Sequence, residues 1–162
     1  MNDIDKTTQN IVELLREKNL HISLAESCTG GMLAAEVTGV AGSSAVIDMS
    51  IVTYANWAKE KYTDVTVDLL VQYGAVSREC ACAMAEGIRR EANCDIGVGI
   101  TGIAGPDGGS PEKPIGTVYI AIASENKTTI KHFIINKEDR NTIRQETTRQ
   151  ALILLKEILI WL

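Results

Sequence analysis

Histidine is nearly absent from this 162-residue chain: His21 and His132 are the only two. His21 opens a predicted strand at the end away from the first serine motif, and His132 falls inside another predicted strand. That placement counts against a Ser-His-Asp or Cys-His site, in which an imidazole must sit within hydrogen-bond reach of the nucleophile. Basic clusters are absent too. Lys and Arg total 16 against 21 Asp and Glu, a net charge of −5. Such a chain is a poor ligand for duplex DNA, whose non-specific affinity comes from neutralised phosphates, so no nucleic-acid partner is expected. One small phosphate can still be held by backbone N–H groups and an arginine. No apolar run reaches the roughly 18 residues of a membrane span, and MNDIDKTTQNIVELLREKN lacks the apolar stretch of a signal peptide. A cytoplasmic protein with no membrane partner is expected. Cys28, Cys80, Cys82 and Cys94 form no C-x-x-C pair. Cys80 and Cys82, two apart on a predicted helix, point to nearly opposite faces. Buried thiols are expected, and no metal site.

Apolar residues make up 45% and charged residues 23%, with no repeat, low-complexity tract or linker, which fits one domain over residues 1–162. Ile4, Ile11, Leu14 and Leu15 recur at helical spacing and predict an opening helix over 4–18. Residues 21–25 read as a strand that runs straight into a glycine turn and a helix over 32–38. A second strand is expected at 45–54, a helical turn at 56–62, a brief helix at 67–73, and a helix capped by Ser77 that runs to about 92. Residues 95–101 read as a buried strand. Strands at 117–123 and 128–135 are joined by the polar turn Ser124-Glu125-Asn126-Lys127 and predict a hairpin. Ile143, Thr147, Ala151, Leu154, Leu155, Ile158 and Leu162 mark one face of a closing helix. Five strands with helices before, between and after them predict an α/β fold. It is a three-layer α/β/α sandwich on a mixed, mostly parallel five-stranded sheet.

Ligands of open α/β sheets bind beyond the carboxyl ends of the strands. Three strand ends here carry unusual residues, at 26–31, 54–59 and 101–109. Ser27 stands between a strand and a helix, where unsatisfied N–H groups and the helix field favour an oxyanion or a phosphate. Its plain structural alternative is an N-cap. Cys28 competes as nucleophile, since a thiol at a helix N-terminus can have a lowered pKa. In the absence of a usable histidine, the base can be a lysine whose pKa is depressed by burial. Lys59 stands about one helical turn after Tyr54, whose hydroxyl can relay or orient the proton. The alternatives are a solvated surface lysine and an ordinary strand tyrosine. The loop TGIAGPDGG lies in the segment that also holds all three prolines, and it is neither GxGxxG nor a Walker A sequence. Its N–H groups can form an oxyanion hole. Arg140 and Arg144 open the last helix, where an arginine fork suits a phosphate or simply faces solvent.

Taken together, AESCTGG (25–31), AGSS (41–44), VTYANWAK (52–59), GAVS (74–77), TGIAGPDGG (101–109), KPIGTV (113–118) and EDRNTIR (138–144) resemble the CinA C-terminal domain family, the PncC-type nicotinamide mononucleotide deamidases. The resemblance covers nearly the whole chain. It implies a cytoplasmic amidohydrolase of pyridine-nucleotide salvage and NAD metabolism, which converts nicotinamide mononucleotide to nicotinic acid mononucleotide and ammonia. It also implies no metal, no cofactor and a homodimer. By the same resemblance Ser27 is the nucleophile, Tyr54 and Lys59 complete the catalytic group, and Arg140 is the family's arginine. Thr29, Gly30, Gly31, Thr101, Gly102 and Gly105 complete the expected small-molecule nucleotide site. Two positions depart from the usual pattern: Glu138 stands where glycine is common, and Thr101 where serine is common. A different class of reading, a nucleotide-binding or protein-interaction module without turnover, uses the same glycine loops.

Overall fold

The computed structural model describes residues 3–137 and 139–162. In it β1 (Ile22–Glu26) lies inside a five-stranded sheet of order β2-β1-β3-β4-β5. The other strands are β2 (Ile47–Val52), β3 (Ile96–Gly102), β4 (Thr117–Ala123) and β5 (Thr128–Ile134). β1 pairs in parallel with both β2 and β3, and β3, β4 and β5 pair antiparallel. The sheet is therefore mixed as expected, but its four pairings divide evenly and the parallel half is not a majority. The short polar turn after β4 makes β5 antiparallel to β4, and β4 returns against β3 through the 103–116 loop, which carries no crossover helix of the kind a parallel pair uses.

Helices α1 (Asp3–Lys18), α2 (Met32–Thr38) and α6 (Arg140–Trp161) cover one face, packed through Ile11, Leu15, Leu33, Val37, Leu152 and Leu155. Helices α3 (Asn56–Tyr62), α4 (Val67–Tyr73) and α5 (Arg78–Glu91) cover the other, around Val65, Cys80, Met84 and Ile88. The period-2 alternation of β1 divides it between these layers. Ile22 and Leu24 join the first cluster and Ala25 the second. Among the described residues no helix is long and apolar enough to cross a membrane.

α2 follows β1 onto one face, and α3 follows the adjacent β2 onto the opposite face. Chains that leave neighbouring parallel strands in opposite directions open a crevice beyond their carboxyl ends. The ladder continues past the strands into that crevice: Ser27 N–H donates to the Ile100 carbonyl at 3.1 Å, and Thr53 N–H to the Glu26 carbonyl at 2.8 Å. Residue 27 is thereby held in register between β2 and β3.

α5 approaches the sheet closely because the facing positions are small. Ala81 and Ala85 pack on Ala121 and Ala123, and a Cβ on Gly97 or Gly99 would overlap the carbonyl oxygens of Ala85 and Ala81. Glycine is needed there for the close approach of two backbones. Gly99→Ala is expected to lower the unfolding free energy by about 3 kcal/mol, the upper range for an overpacked core, as measured by urea denaturation. A loss under about 1 kcal/mol would mean that α5 can move away freely.

Candidate active site

Three strand ends meet in a cavity of about 320 Å³ lined by Ser27, Tyr54, Asn56, Lys59, Asp107 and Arg140, together with backbone from the 101–108 loop. That volume lies at the low end for small-molecule sites. Ser27 is the first residue beyond β1, and the alternation that sends Glu26 toward α2 sends its hydroxyl toward α3. Lys59 reaches the same point from the inner face of α3. Its Nζ lies 3.1 Å from Ser27 Oγ, 2.7 Å from the Thr53 carbonyl oxygen and 3.1 Å from the Tyr54 carbonyl oxygen.

Only 2% of Lys59 is exposed. Burial disfavours its charged form and lowers its pKa from the ordinary 10.5. The opposing pull of Cys80 and Cys28 is the smaller effect, and among the described residues no carboxylate forms an ion pair with Lys59. A neutral amine has two N–H donors and one lone pair. Thr53 and Tyr54 supply two carbonyl acceptors, so the lone pair is left for the Ser27 hydroxyl proton. The arrangement is that of a serine beside its base.

The Tyr54 side chain takes no part in that contact. It is 58% exposed, and its hydroxyl accepts from Arg140 Nη2 at 2.6 Å while Arg140 Nη1 donates to the Gly105 carbonyl at 2.6 Å. Lys59 and Ser27 touch with no side chain between them, and the tyrosine stands on the cavity rim. Thr101 lines the cavity, but its hydroxyl donates to the Ala75 carbonyl at 2.7 Å. Gly102 admits the chain past Val118 and the Cys28 sulfur, which a Cβ would meet at 2.8 and 3.2 Å. The Ala104 and Gly105 amides donate to no protein acceptor among the described residues. Glu138 lies outside the described residues.

Thr29, Gly30 and Gly31 do not line the cavity. Gly30 N–H donates to the Ser27 carbonyl at 3.0 Å, and Gly31 N–H is taken by Glu26. The Thr29 hydroxyl is buried without a hydrogen-bond partner among the described residues. Ser27 does not cap α2 either. That role belongs to Glu26, whose carboxylate accepts from Gly31, Leu33 and Ala34 N–H at 3.1, 3.2 and 2.9 Å. The sequence sign of this cap was the lack of Ser, Thr, Asp or Asn at position 31. Arg144 was equally easy to misread as a solvated residue. Its Nε and Nη2 donate to the Cys28 and Thr29 carbonyls, both at 3.0 Å, and tie α6 to the turn.

Cys28 is buried, and desolvation pushes its thiol up to about 12, the opposite of what a thiolate nucleophile needs. All four cysteines are free, and no three His, Cys, Asp or Glu side chains gather as metal ligands among the described residues. The two histidines stand elsewhere: His21 pairs with Asp48 at 2.8 Å, and His132 stacks on Tyr119.

The family model of the CinA C-terminal domain matches residues 4–159. A CinA-like protein of Citrifermentans bemidjiense is 46% identical over 158 residues, which are 98% of this chain and 38% of that protein. The chain thus spans well under half the length of such curated relatives. The crystal structure of competence/damage inducible protein CihA from Agrobacterium tumefaciens superposes with a TM-score of 0.92 at 40% identity, covering 96% of this chain and 94% of that one. A CinA superfamily protein of Klebsiella pneumoniae superposes with a TM-score of 0.94 at 30% identity, covering 99% and 100%.

Labelling of Ser27 by a fluorophosphonate is expected to rise with pH, because Lys59 accepts a proton only above its own pKa. Since that pKa is lowered, the midpoint falls below 10.5; Lys59→Met abolishes the rise. Cys28→Ala leaves the labelling rate within about twofold, since a protonated buried thiol is no nucleophile. The rate–pH profile of the three proteins checks both statements.

Proposed function

The chain belongs to the CinA C-terminal domain family, and from that premise we propose that it is a serine–lysine amidohydrolase that deamidates nicotinamide mononucleotide. The observation that carries the reaction class is the 3.1 Å contact between a buried lysine, without an ion-pair partner among the described residues, and Ser27 in an open cavity. The substrate rests on the family resemblance. It is supported by the rim, where Asp107 and Arg140 present one charge of each sign to a ligand that carries a pyridinium and a phosphate.

In this reading Lys59 Nζ takes the Ser27 proton as Oγ bonds to the amide carbon. The oxyanion is received by the free amides of Ala104 and Gly105. The Lys59 ammonium returns the proton to the nitrogen, the C–N bond breaks, and ammonia leaves an acyl-serine. Water, deprotonated by Lys59, attacks the acyl carbon, giving nicotinic acid mononucleotide and the free serine. Arg140 binds the phosphate, and Tyr54 orients Arg140. Thr101 and Gly102 shape the wall, while Thr29, Gly30 and Gly31 hold the nucleophile's turn. The site needs no metal or cofactor for these steps and is contained in a single domain. The expected setting is the cytoplasm.

Ser27→Ala and Lys59→Ala are each expected to cut ammonia release from nicotinamide mononucleotide by roughly 10³-fold or more, as when a nucleophile or its base is removed. Tyr54→Phe is expected to raise KM more than it lowers kcat, because its hydroxyl touches Arg140 and not the proton path. Binding without ammonia release by the unmodified chain would instead favour a nucleotide-binding module. Release from nicotinamide or the riboside at an equal rate would remove the phosphate from the specificity.

A homodimer is part of the same proposal. Val52, Tyr54, Trp57 and Tyr62 form an exposed apolar face beside the unpaired edge of β2, the kind of patch that associating surfaces carry. Sedimentation equilibrium is expected to give twice the 17.6 kDa chain mass; a single chain mass at micromolar concentration would reject the dimer.

A further inference from the structure

Glu26 is wholly buried, yet it contacts no cation among the described residues. Its two carboxylate oxygens accept the Gly31, Leu33 and Ala34 amides at 3.1, 3.2 and 2.9 Å. The helix it caps has glycine at its N-cap, with φ of 95° and no side-chain cap of its own. An α2 start left without its acceptor would have to recruit another and shift the turn that leads into it, and Ser27 stands at the head of that turn, next to Glu26. We propose that Glu26 is the positioning residue of the nucleophile: its carboxylate occupies the α2 amides and thereby leaves Ser27 Oγ to Lys59.

Three features support this division. Strand alternation places the two side chains on opposite faces of β1, so Glu26 meets α2 while Ser27 meets α3. The backbone behind them is pinned on both sides, by Ser27 N–H to Ile100 O at 3.1 Å and Thr53 N–H to Glu26 O at 2.8 Å. The first turn of the helix ahead of them is held by the carboxylate through three N–H groups, across the turn that contains the positive-φ residues Gly30 and Gly31 and that Arg144 ties to α6. Two carboxylate oxygens satisfy three donors; an amide at the same place has one acceptor and turns its NH2 toward N–H groups. The proposal rests on the serine–lysine reading of the site, and its test separates the two.

Glu26→Gln, Lys59→Met and the double variant are compared in the intact chain by ammonia release from nicotinamide mononucleotide and by fluorophosphonate labelling of Ser27, both normalised to folded protein by circular dichroism. Glu26→Gln is expected to lower kcat and the labelling rate about 10²-fold at unchanged KM, the scale of an ångström-sized misplacement. Glu26→Gln should then add little to Lys59→Met, because without the base there is no serine–base coupling left to lose. Additive losses, or Glu26→Gln labelling within threefold of the parent, would overturn the positioning role. Should Glu26→Gln fold poorly, Glu26→Asp, which keeps both oxygens but is one methylene short, serves the same comparison. Labelling without ammonia release from the parent chain would reject the amidase reading and leave the positioning role standing. A crystal structure of Glu26→Gln with Ser27 Oγ still 3.1 Å from Lys59 Nζ would reject the positioning role whatever the activity.

Discussion

A lysine amine removed from water, with carbonyls and a hydroxyl as its neighbours and no carboxylate paired with it among the described residues, is the constraint on which the site depends. An ammonium in that place would surrender its hydration, while the dipoles that replace it compensate only in part. The neutral amine fits better, since Thr53 and Tyr54 take its two hydrogens and the lone pair faces Ser27. The nearest titratable neighbours strengthen the case. Cys28 and Cys80 are themselves pushed up, to about 12 and about 11, so neither supplies a negative charge that would hold the proton on Lys59. A glutamate in place of Cys80 would do the opposite and convert a base into a salt bridge.

That neighbourhood is a product of topology. The lysine comes from the connection after β2, the serine from the end of β1, and the glycine loop from the end of β3. They meet because these three strands are parallel and adjacent, so their carboxyl ends share one edge of the sheet. β4 and β5 contribute no parallel end; they extend the sheet and anchor the loop. Gly116 N–H donates to the Ile103 carbonyl and Ile103 N–H to the Thr117 carbonyl, at 2.8 and 2.9 Å, which closes the glycine-rich segment against the start of β4. Lys113 fastens the same segment from the other side, through its amine to the Tyr73 carbonyl at the end of α4.

Much of this was legible in the residues. The direct passage from strand to glycine turn to helix located Ser27, and the scarcity of histidine directed attention to lysine. Other features were not legible, for physical reasons. NWAKEKY carries alternating charge and reads as a solvated turn; Lys59 is buried because α3 packs on α5 and the amine reaches Ser27, 32 positions away in sequence. The Glu26 cap escapes local pattern rules because it reaches across a five-residue gap to Gly31, beyond the three-residue span of an ordinary N-cap. The Tyr54 side-chain direction depends on Arg140, 86 positions away. The even division of parallel and antiparallel pairs was partly hidden, since both kinds of buried strand present the same run of Val, Ile and Ala.

The rim and the interior follow different electrostatic logic, and their separation makes the reading coherent. Inside, desolvation works against the charge on Lys59, and three N–H groups meet the carboxylate of Glu26. At the rim, the Arg140 guanidinium donates to two neutral oxygens, those of Tyr54 and Gly105. A phosphate offers the same guanidinium charged acceptors in a fork geometry, and charge-assisted bonds of that kind are roughly twice as strong as neutral ones. An anionic ligand can therefore replace the resting partners of Arg140 without drawing a charge toward Lys59, whose pKa a nearby phosphate would raise. Because the α2 amino end is already occupied by Glu26, the rim is the place left for an anion, at a distance from the amine whose charge desolvation already disfavours.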